Sequence, residues 1–151
     1  YDSHSKILIL GSFPSVKSRA AGFFYGHPQN RFWKVTSAVF GAAEPETIPE
    51  KRKFLLSNGI ALWDVIASCE IQGSSDSSIR NVVPNDLGEI LSSAPVSRIF
   101  TNGATAKRLY DRYIFPETGR PAVLLPSTSP ANASWSLDRL KETWRSLLCE
   151  P

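Results

Sequence analysis

The residues that could do chemistry are gathered in two short strings. Gly26–Trp33 reads GHPQNRFW, and about a hundred residues later Ser127–Asn132 reads STSPAN. In the first, Pro28 suits the first position of a helix after His27. Such a helix would aim its backbone N–H groups and the positive end of its dipole at whatever lies before Asn30. Asn30 carries a neutral amide, which cannot take a proton as a carboxylate does, but whose oxygen can orient a water or stabilise a cationic centre. The plainer reading is that it bonds only to the backbone of the first helical turn. His27 could cap that turn or reach a phosphate, and as a lone histidine it reads as structural rather than as a base. The second string is a Ser/Thr/Pro/Asn loop after the apolar run Pro121–Leu125, where an α/β sheet places its ligand-facing crevice.

Strands and helices must bring these strings together. Lys6–Gly11 (KILILG) is a continuous apolar run ending in Gly, the pattern of a strand buried on both faces of a parallel sheet. Pro28–Phe40 reads as a helix through Phe32, Val35, Val39 and Phe40, stopping at Gly41, and a shorter helix runs from Pro49 to Ser57, closed by Asn58-Gly59. Ile60–Val65 is a second strand. Gly73–Asp86 has no apolar period and reads as a long excursion, either functional or a plain surface loop. Asp86 can cap a helix through Ser93, Arg98–Thr101 is a third strand, Ala104–Tyr113 a helix and Pro121–Leu125 a fourth strand. The last helix starts at Ser136 as a cap and puts Leu137, Leu140, Trp144, Leu147 and Leu148 on one face and Arg139, Lys141 and Arg145 on the other.

This alternation predicts a three-layer α/β/α sandwich with a mainly parallel sheet of about four strands, although by itself it also admits a flavodoxin-like or small Rossmann-like domain. Gly11, Trp63, Asn102 and Ser127 each follow or end an apolar run, so all four are expected at the carboxyl edge of the sheet, lining one cleft.

A chain of 151 residues with 42% hydrophobic content supports one core, and a single domain over 1–151 is expected. The net charge of +3 and a pI near 9.0 suit a polyanionic partner without demanding one. Two cysteines, Cys69 and Cys149, have no metal-ligand spacing, which makes a reduced intracellular protein the default. Nothing reads as a signal peptide or membrane span, since Ile7–Leu10 is far shorter than the roughly 18 apolar residues that crossing a bilayer takes. Two histidines and no carboxylate pair at ligand spacing argue against a metal-dependent hydrolase. With no Met anywhere, initiator included, the chain is expected to be part of a longer translation product.

Taken with Leu10–Pro14 (LGSFP), Phe24-Tyr25 and Gly59–Val65 (GIALWDV), the two strings resemble the uracil-DNA glycosylase superfamily. The nearest branch is the hypoxanthine-DNA glycosylase group, a sister of the bacterial mismatch-specific uracil glycosylases, and the resemblance runs from about Ile7 to the last helix. It implies a uracil-DNA glycosylase-like fold and a monofunctional glycosylase without metal or cofactor. Its partner would be double-stranded DNA carrying a deaminated base, hypoxanthine before uracil or xanthine. It further implies a monomer in the cytoplasm, at the nucleoid during repair.

The resemblance also implies roles. Asn30 stands at the functionally important Asn of the group's motif and becomes the catalytic candidate. Gly11, Ser12, Phe13, Tyr25, Trp63 and Asp64 become candidates for holding the base. Tyr25 would stack on it or else be ordinary core; Asp64 would accept from a purine N–H or else cap the next turn. His27, Ser127, Thr128, Ser129, Pro130, Ala131 and Asn132 become DNA contacts, with hydroxyls of Ser127, Thr128 and Ser129 on phosphates and Ala131-Asn132 as a small wedge entering the duplex. Lys17, Arg19 and Arg139 are phosphate contacts or solvated charges. The chain departs from the better-known uracil glycosylases at Ser12, where they carry Asp or Asn, and at Ser127, where many carry His. Both departures argue against a highly active uracil glycosylase and keep open a degenerate module that binds nucleotides or damaged DNA without cleaving it.

Overall fold

The apolar run at Ile7–Gly11 forms β1, every residue of which is buried. In the computed structural model, which describes residues 1–13, 22–70 and 80–148, β1 pairs in parallel with β2 (Ile60–Asp64) on one side and with β5 (Arg98–Asn102) on the other. β6 (Ala122–Leu125) pairs in parallel with β5, so the sheet runs β2-β1-β5-β6. A strand in the middle of a parallel sheet is covered on both faces, which is why it reads as an unbroken apolar run.

The side chains of β1 divide by parity into two cores. Ile7 and Ile9 join Ile60, Leu62, Phe100 and Leu125 beneath α1 (Phe32–Val39), α2 (Ile48–Ser57) and α6 (Leu137–Trp144). Leu8 and Leu10 join Ala61, Ile99 and Ala122 beneath α3 (Gly88–Ser93) and α4 (Ala104–Tyr113), which α5 (Phe115–Thr118) follows. Each fully buried Leu or Ile contributes about 1.5–3 kcal/mol of hydrophobic stabilisation. The result is the expected three-layer α/β/α sandwich, with all four strands of its sheet parallel.

Three local expectations are revised. The helix predicted from Pro28 starts only at Phe32. The residues before it close a turn instead, with the Asn30 N–H on the His27 carbonyl (3.0 Å) and the Gln29 N–H on His27 Nδ1 (3.0 Å), because side-chain acceptors compete with the helix for backbone donors. The Gly73–Asp86 excursion contains a strand: β4 (Arg80–Pro84) pairs antiparallel, with register shifts, with β3 (Ile66–Glu70), a strand not expected from the sequence, and residues 71–79 lie outside the described residues. Those shifts disturb the period of two by which a strand is read from sequence. Finally, α6 ends at Trp144 and tightens into a 3-10 turn, Arg145–Leu148. Three residues per turn keep Leu147 buried and turn Leu148 out to solvent.

One cap forms as read: Ser136 accepts from the Arg139 N–H (3.1 Å). The other does not: the residue before α3 is Leu87, which offers no side-chain cap, and Asp86, one position further out, accepts from the Gly88 N–H (2.8 Å) in a local turn. Pro14, Lys17, Arg19 and Cys149 lie outside the described residues.

Candidate active site

The carboxyl ends of β1, β2 and β5 meet at one crevice. Gly11 is paired with Asp64 across the sheet, and a Cβ at Gly11 would stand 2.8 Å from Asp64 Oδ1 and 3.2 Å from the Tyr25 hydroxyl. Only glycine leaves room for those two groups to approach each other over the end of β1. Tyr25 reaches that place through a left-handed backbone (φ 52°), which a non-glycine residue adopts at a cost. Its ring stacks on Phe32 with centroids 4.1 Å apart and 17° between planes, and its carbonyl accepts from Trp33 Nε1 (3.2 Å).

Asn102, the last residue of β5, holds the crevice together. Its Nδ2 donates to Thr128 Oγ1 (3.0 Å), its Oδ1 accepts from the Thr128 N–H (3.0 Å), and its side chain also hydrogen-bonds Tyr25. Thr128 Oγ1 in turn donates to Asn30 Oδ1 (2.9 Å), which also accepts from the Phe32 N–H at the start of α1 (2.9 Å). A backbone N–H can only donate, so the Asn30 oxygen is fixed on that side and the NH2 faces away. This revises the role expected of Asn30. Its oxygen bonds the first helical turn, as the plainer reading had it, and takes a second bond from Thr128, so the amide NH2 is the group left for chemistry.

The 127–135 loop is bound to the loop before α1. Arg31 N–H donates to the Thr128 carbonyl (3.0 Å), and the Arg31 guanidinium donates to the carbonyls of Ser129 (3.2 Å), Asn132 (3.0 Å) and Trp135. Within the loop, Ser127 Oγ accepts from the Ser129 N–H, Ser129 Oγ from the Ala131 N–H, and Asn132 Nδ2 donates to the Ser127 carbonyl. Ser127 comes close because Gly103, at φ 100°, has no Cβ; one there would lie 3.1 Å from Ser127 Cβ.

Asn30 and the 127–132 loop therefore share one crevice with Gly11, Tyr25, Asp64 and Asn102. Other candidates go elsewhere. Thr128 is fully buried with its hydroxyl engaged on both sides, so it is an internal strut and does not present that hydroxyl to a phosphate. The Asn132 amide is turned back into its own loop rather than out as a wedge, while Pro130 and Ala131 form the exposed tip. Trp63 leaves the crevice for an apolar pocket of about 170 Å3 along the edge strand, where its ring meets Tyr1 and Phe24. Phe13 packs against the core that holds Leu8 and Leu10. Ser12 contributes its carbonyl to the Ile66 N–H, anchoring β3. His27 serves its own turn through Nδ1, and Arg139 lies flat on Trp135, 3.9 Å from the ring centroid.

Arg31 is not singled out by sequence, where it is an ordinary basic residue in a helix start; its partners, the carbonyls of Thr128, Ser129, Asn132 and Trp135, are about a hundred residues away along the chain. Asn102 is expected at the cleft as a strand end, but its bonds to Thr128 are not foreseen.

Burial raises the Asp64 carboxyl from its ordinary range to about 7. Burial also raises the Tyr25 hydroxyl, and the nearby Asp64 charge adds to this, while the Asn102 hydrogen bond opposes it less strongly. For Asp64 the stability consequence has a definite sign. Between about pH 4 and 7 the unfolded chain loses the Asp64 proton and the folded chain keeps it, so this residue makes the fold less stable as pH rises through that window. Asp64→Asn should remove this part of the slope, and the melting temperature of the variant relative to the parent should climb between pH 5 and pH 8. A difference that stays flat with pH would show Asp64 ionised throughout.

A parallel α/β sandwich with amide, phenol and carboxyl groups converging at its carboxyl edge, and no group of three or more His, Cys, Asp or Glu placed to hold a metal among the described residues, defines a site built for hydrogen bonding and stacking. Comparison with known proteins gives the family. A family model described as the Uracil DNA glycosylase superfamily matches residues 1–148. A hypoxanthine DNA glycosylase of Methanosarcina acetivorans is 33% identical over 97% of this chain and 92% of its own length. One of Methanosarcina barkeri is 29% identical over 95% of this chain and 90% of its own length. A solution NMR structure from Methanosarcina acetivorans, described as a candidate uracil DNA glycosylase, superposes with a TM-score of 0.80 at 32% identity, over 98% of this chain and 94% of that one. The chain belongs to the uracil DNA glycosylase superfamily and is, as a class, a DNA glycosylase. Among the described residues no helix is long and apolar enough to cross a membrane.

Proposed function

We propose that the chain is a monofunctional DNA glycosylase that takes a deaminated base, hypoxanthine before uracil or xanthine, out of duplex DNA and hydrolyses its N-glycosidic bond. The observation that carries this reading is the hydrogen-bonded chain Asn102–Thr128–Asn30, which ties both motif loops to the carboxyl end of β5. The curated names of the two Methanosarcina relatives support the choice of base.

The crevice chemistry fits that base. Hypoxanthine offers a ring N–H donor and a carbonyl acceptor side by side. A carboxyl that titrates near neutrality can meet either, accepting from the N–H as carboxylate or donating to the carbonyl as acid. One face of the Tyr25 ring lies on Phe32, so a flipped base would stack on the other. Asn30, with its oxygen held by Phe32 and Thr128, offers its NH2 to a water or to the negative charge gathering on the departing base. A water that attacks an oxocarbenium-like sugar needs placement more than a strong base, which accommodates the neutral Ser12. The partner is then lesion-bearing duplex DNA, bound by a monomer, with the exposed Pro130-Ala131 tip, Ser127, Ser129 and Arg139 toward its backbone.

Incubation with duplexes carrying a single deoxyinosine, deoxyuridine or deoxyxanthosine tests the reading: alkali-labile sites should form fastest at deoxyinosine. Tight lesion binding with no strand scission after alkali on any of the three would replace it with a degenerate binding module. Tyr25→Ala should weaken capture of the flipped base by about 1–3 kcal/mol. Equal affinity of parent and variant for a duplex with a non-cleavable deoxyinosine analogue would remove Tyr25 from that role.

A further inference from the structure

No residue from Ser129 to Ser134 is buried, so the loop that would meet DNA has no apolar side chain anchoring it to a core. Its internal turns are held by the Asn132 N–H on the Ser129 carbonyl (3.0 Å) and the Trp135 N–H on the Asn132 carbonyl (3.2 Å). The same two carbonyls, with that of Trp135, are the acceptors of the Arg31 guanidinium. One planar fork thus spans acceptors spaced three residues apart along the loop, a match that the single-point ammonium of a lysine cannot reproduce. At its far end the loop is tied down by Trp135, which packs against the core beneath α1 and lies under Arg139. Among the described residues the one ion pair is Lys107–Asp111, so no carboxylate there competes for Arg31.

We propose that Arg31 is the positioning residue of the DNA-gripping loop: its guanidinium fixes the loop at residues 129–135 in the shape that engages the duplex, and it acts on DNA engagement rather than on bond cleavage. The separation follows from the geometry. Asn30 is held by the Phe32 N–H and by Thr128 Oγ1, and the Arg31 backbone N–H still holds the Thr128 carbonyl when the side chain is changed. Loss of the guanidinium therefore frees the loop beyond Thr128 and leaves the Asn30 amide in place. The proposal rests on the glycosylase reading for its DNA partner but not for the clamp itself.

Two measurements on the Arg31→Gln and Arg31→Lys variants test it. Amide hydrogen exchange at Asn132 and Trp135 should accelerate by about 10-fold or more in Arg31→Gln, with partial protection recovered in Arg31→Lys, as expected for losing charged hydrogen bonds. In single-turnover cleavage of a deoxyinosine duplex with enzyme in excess, the half-saturating enzyme concentration should rise about 10-fold in Arg31→Gln while the plateau rate changes less than about 3-fold. If Arg31→Gln does not fold, the same comparisons in Arg31→Lys, with smaller changes in the same direction, decide. Unchanged exchange at both amides would show that the loop is held without Arg31. A fallen plateau at unchanged half-saturation would show that Arg31 acts on the chemistry instead. A parent protein that cleaves no deoxyinosine duplex would overturn the glycosylase reading and not the clamp, which the exchange data settle alone.

Discussion

Asn30→Ala should lower the single-turnover rate on a deoxyinosine duplex by roughly 10²–10³-fold while duplex binding stays within a few-fold, by analogy with the loss of one preorganised donor to a developing charge. The Asn30 oxygen also accepts from the Phe32 N–H and from the buried Thr128 hydroxyl, so the variant should lose about 1–3 kcal/mol of stability, which chemical denaturation reads separately from the rate. Asn30→Asp separates the two halves of the amide. It keeps an oxygen for Phe32 and Thr128 and removes the NH2, so it should be about as slow as the alanine variant if the NH2 does the work. Near-parental rates in Asn30→Asp would assign the role to the oxygen, and unchanged rates in Asn30→Ala would end the catalytic assignment altogether.

The second large effect is expected at Asn102. Thr128 is wholly buried, and both its N–H and its hydroxyl are satisfied by the Asn102 amide. Asn102→Ala strands the Thr128 N–H in the interior and leaves its hydroxyl with Asn30 as its one partner; an unsatisfied buried polar group costs about 1–3 kcal/mol, so a loss of that size in unfolding free energy is expected. Activity should fall as well, since Thr128, which holds the Asn30 oxygen, loses both of its bonds to β5. Chemical denaturation at fixed pH reads the first effect and single-turnover cleavage the second. A variant with parental stability would mean that water or a rearranged Thr128 replaces the amide.

What could be seen in the sequence was what local chemistry alone determines. KILILG had to be a central strand because nothing polar interrupts it, and Ser136 had to start a helix because the apolar spacing begins just after it. The start of α1 was misplaced because Pro28 suits a first helical turn equally well in a plain turn, and the His27 ring nitrogen and carbonyl capture the next N–H groups. The β3–β4 pair stayed hidden because its register shifts break the alternation. In the site, Gly11, Tyr25, Asp64 and Asn30 were within reach because motif strings carry them. Trp63 was assigned to the crevice on its place at a strand end, yet β2 is an edge strand, and the ring is drawn toward Tyr1 and Phe24 beyond that edge. Thr128, read as a phosphate ligand from its hydroxyl, is an internal strut because its neighbour in space is Asn102, a proximity that only the β5–β6 pairing creates.

The bonds that join Asn30 and Arg31 to Thr128 and Ser129 span 98 positions of chain. Contacts of that range carry a high entropic cost of closure and reward folding only after the intervening strands have paired. During synthesis, β1, β2 and the helices between them can begin to associate while the crevice does not yet exist, because its far wall has not been made. Every nascent chain that stops short of Trp135 lacks the complete loop and the full set of carbonyls that the Arg31 guanidinium holds. The order of residues along the polypeptide thus acts as a timing device: the crevice is complete only once the chain has been made as far as Trp135.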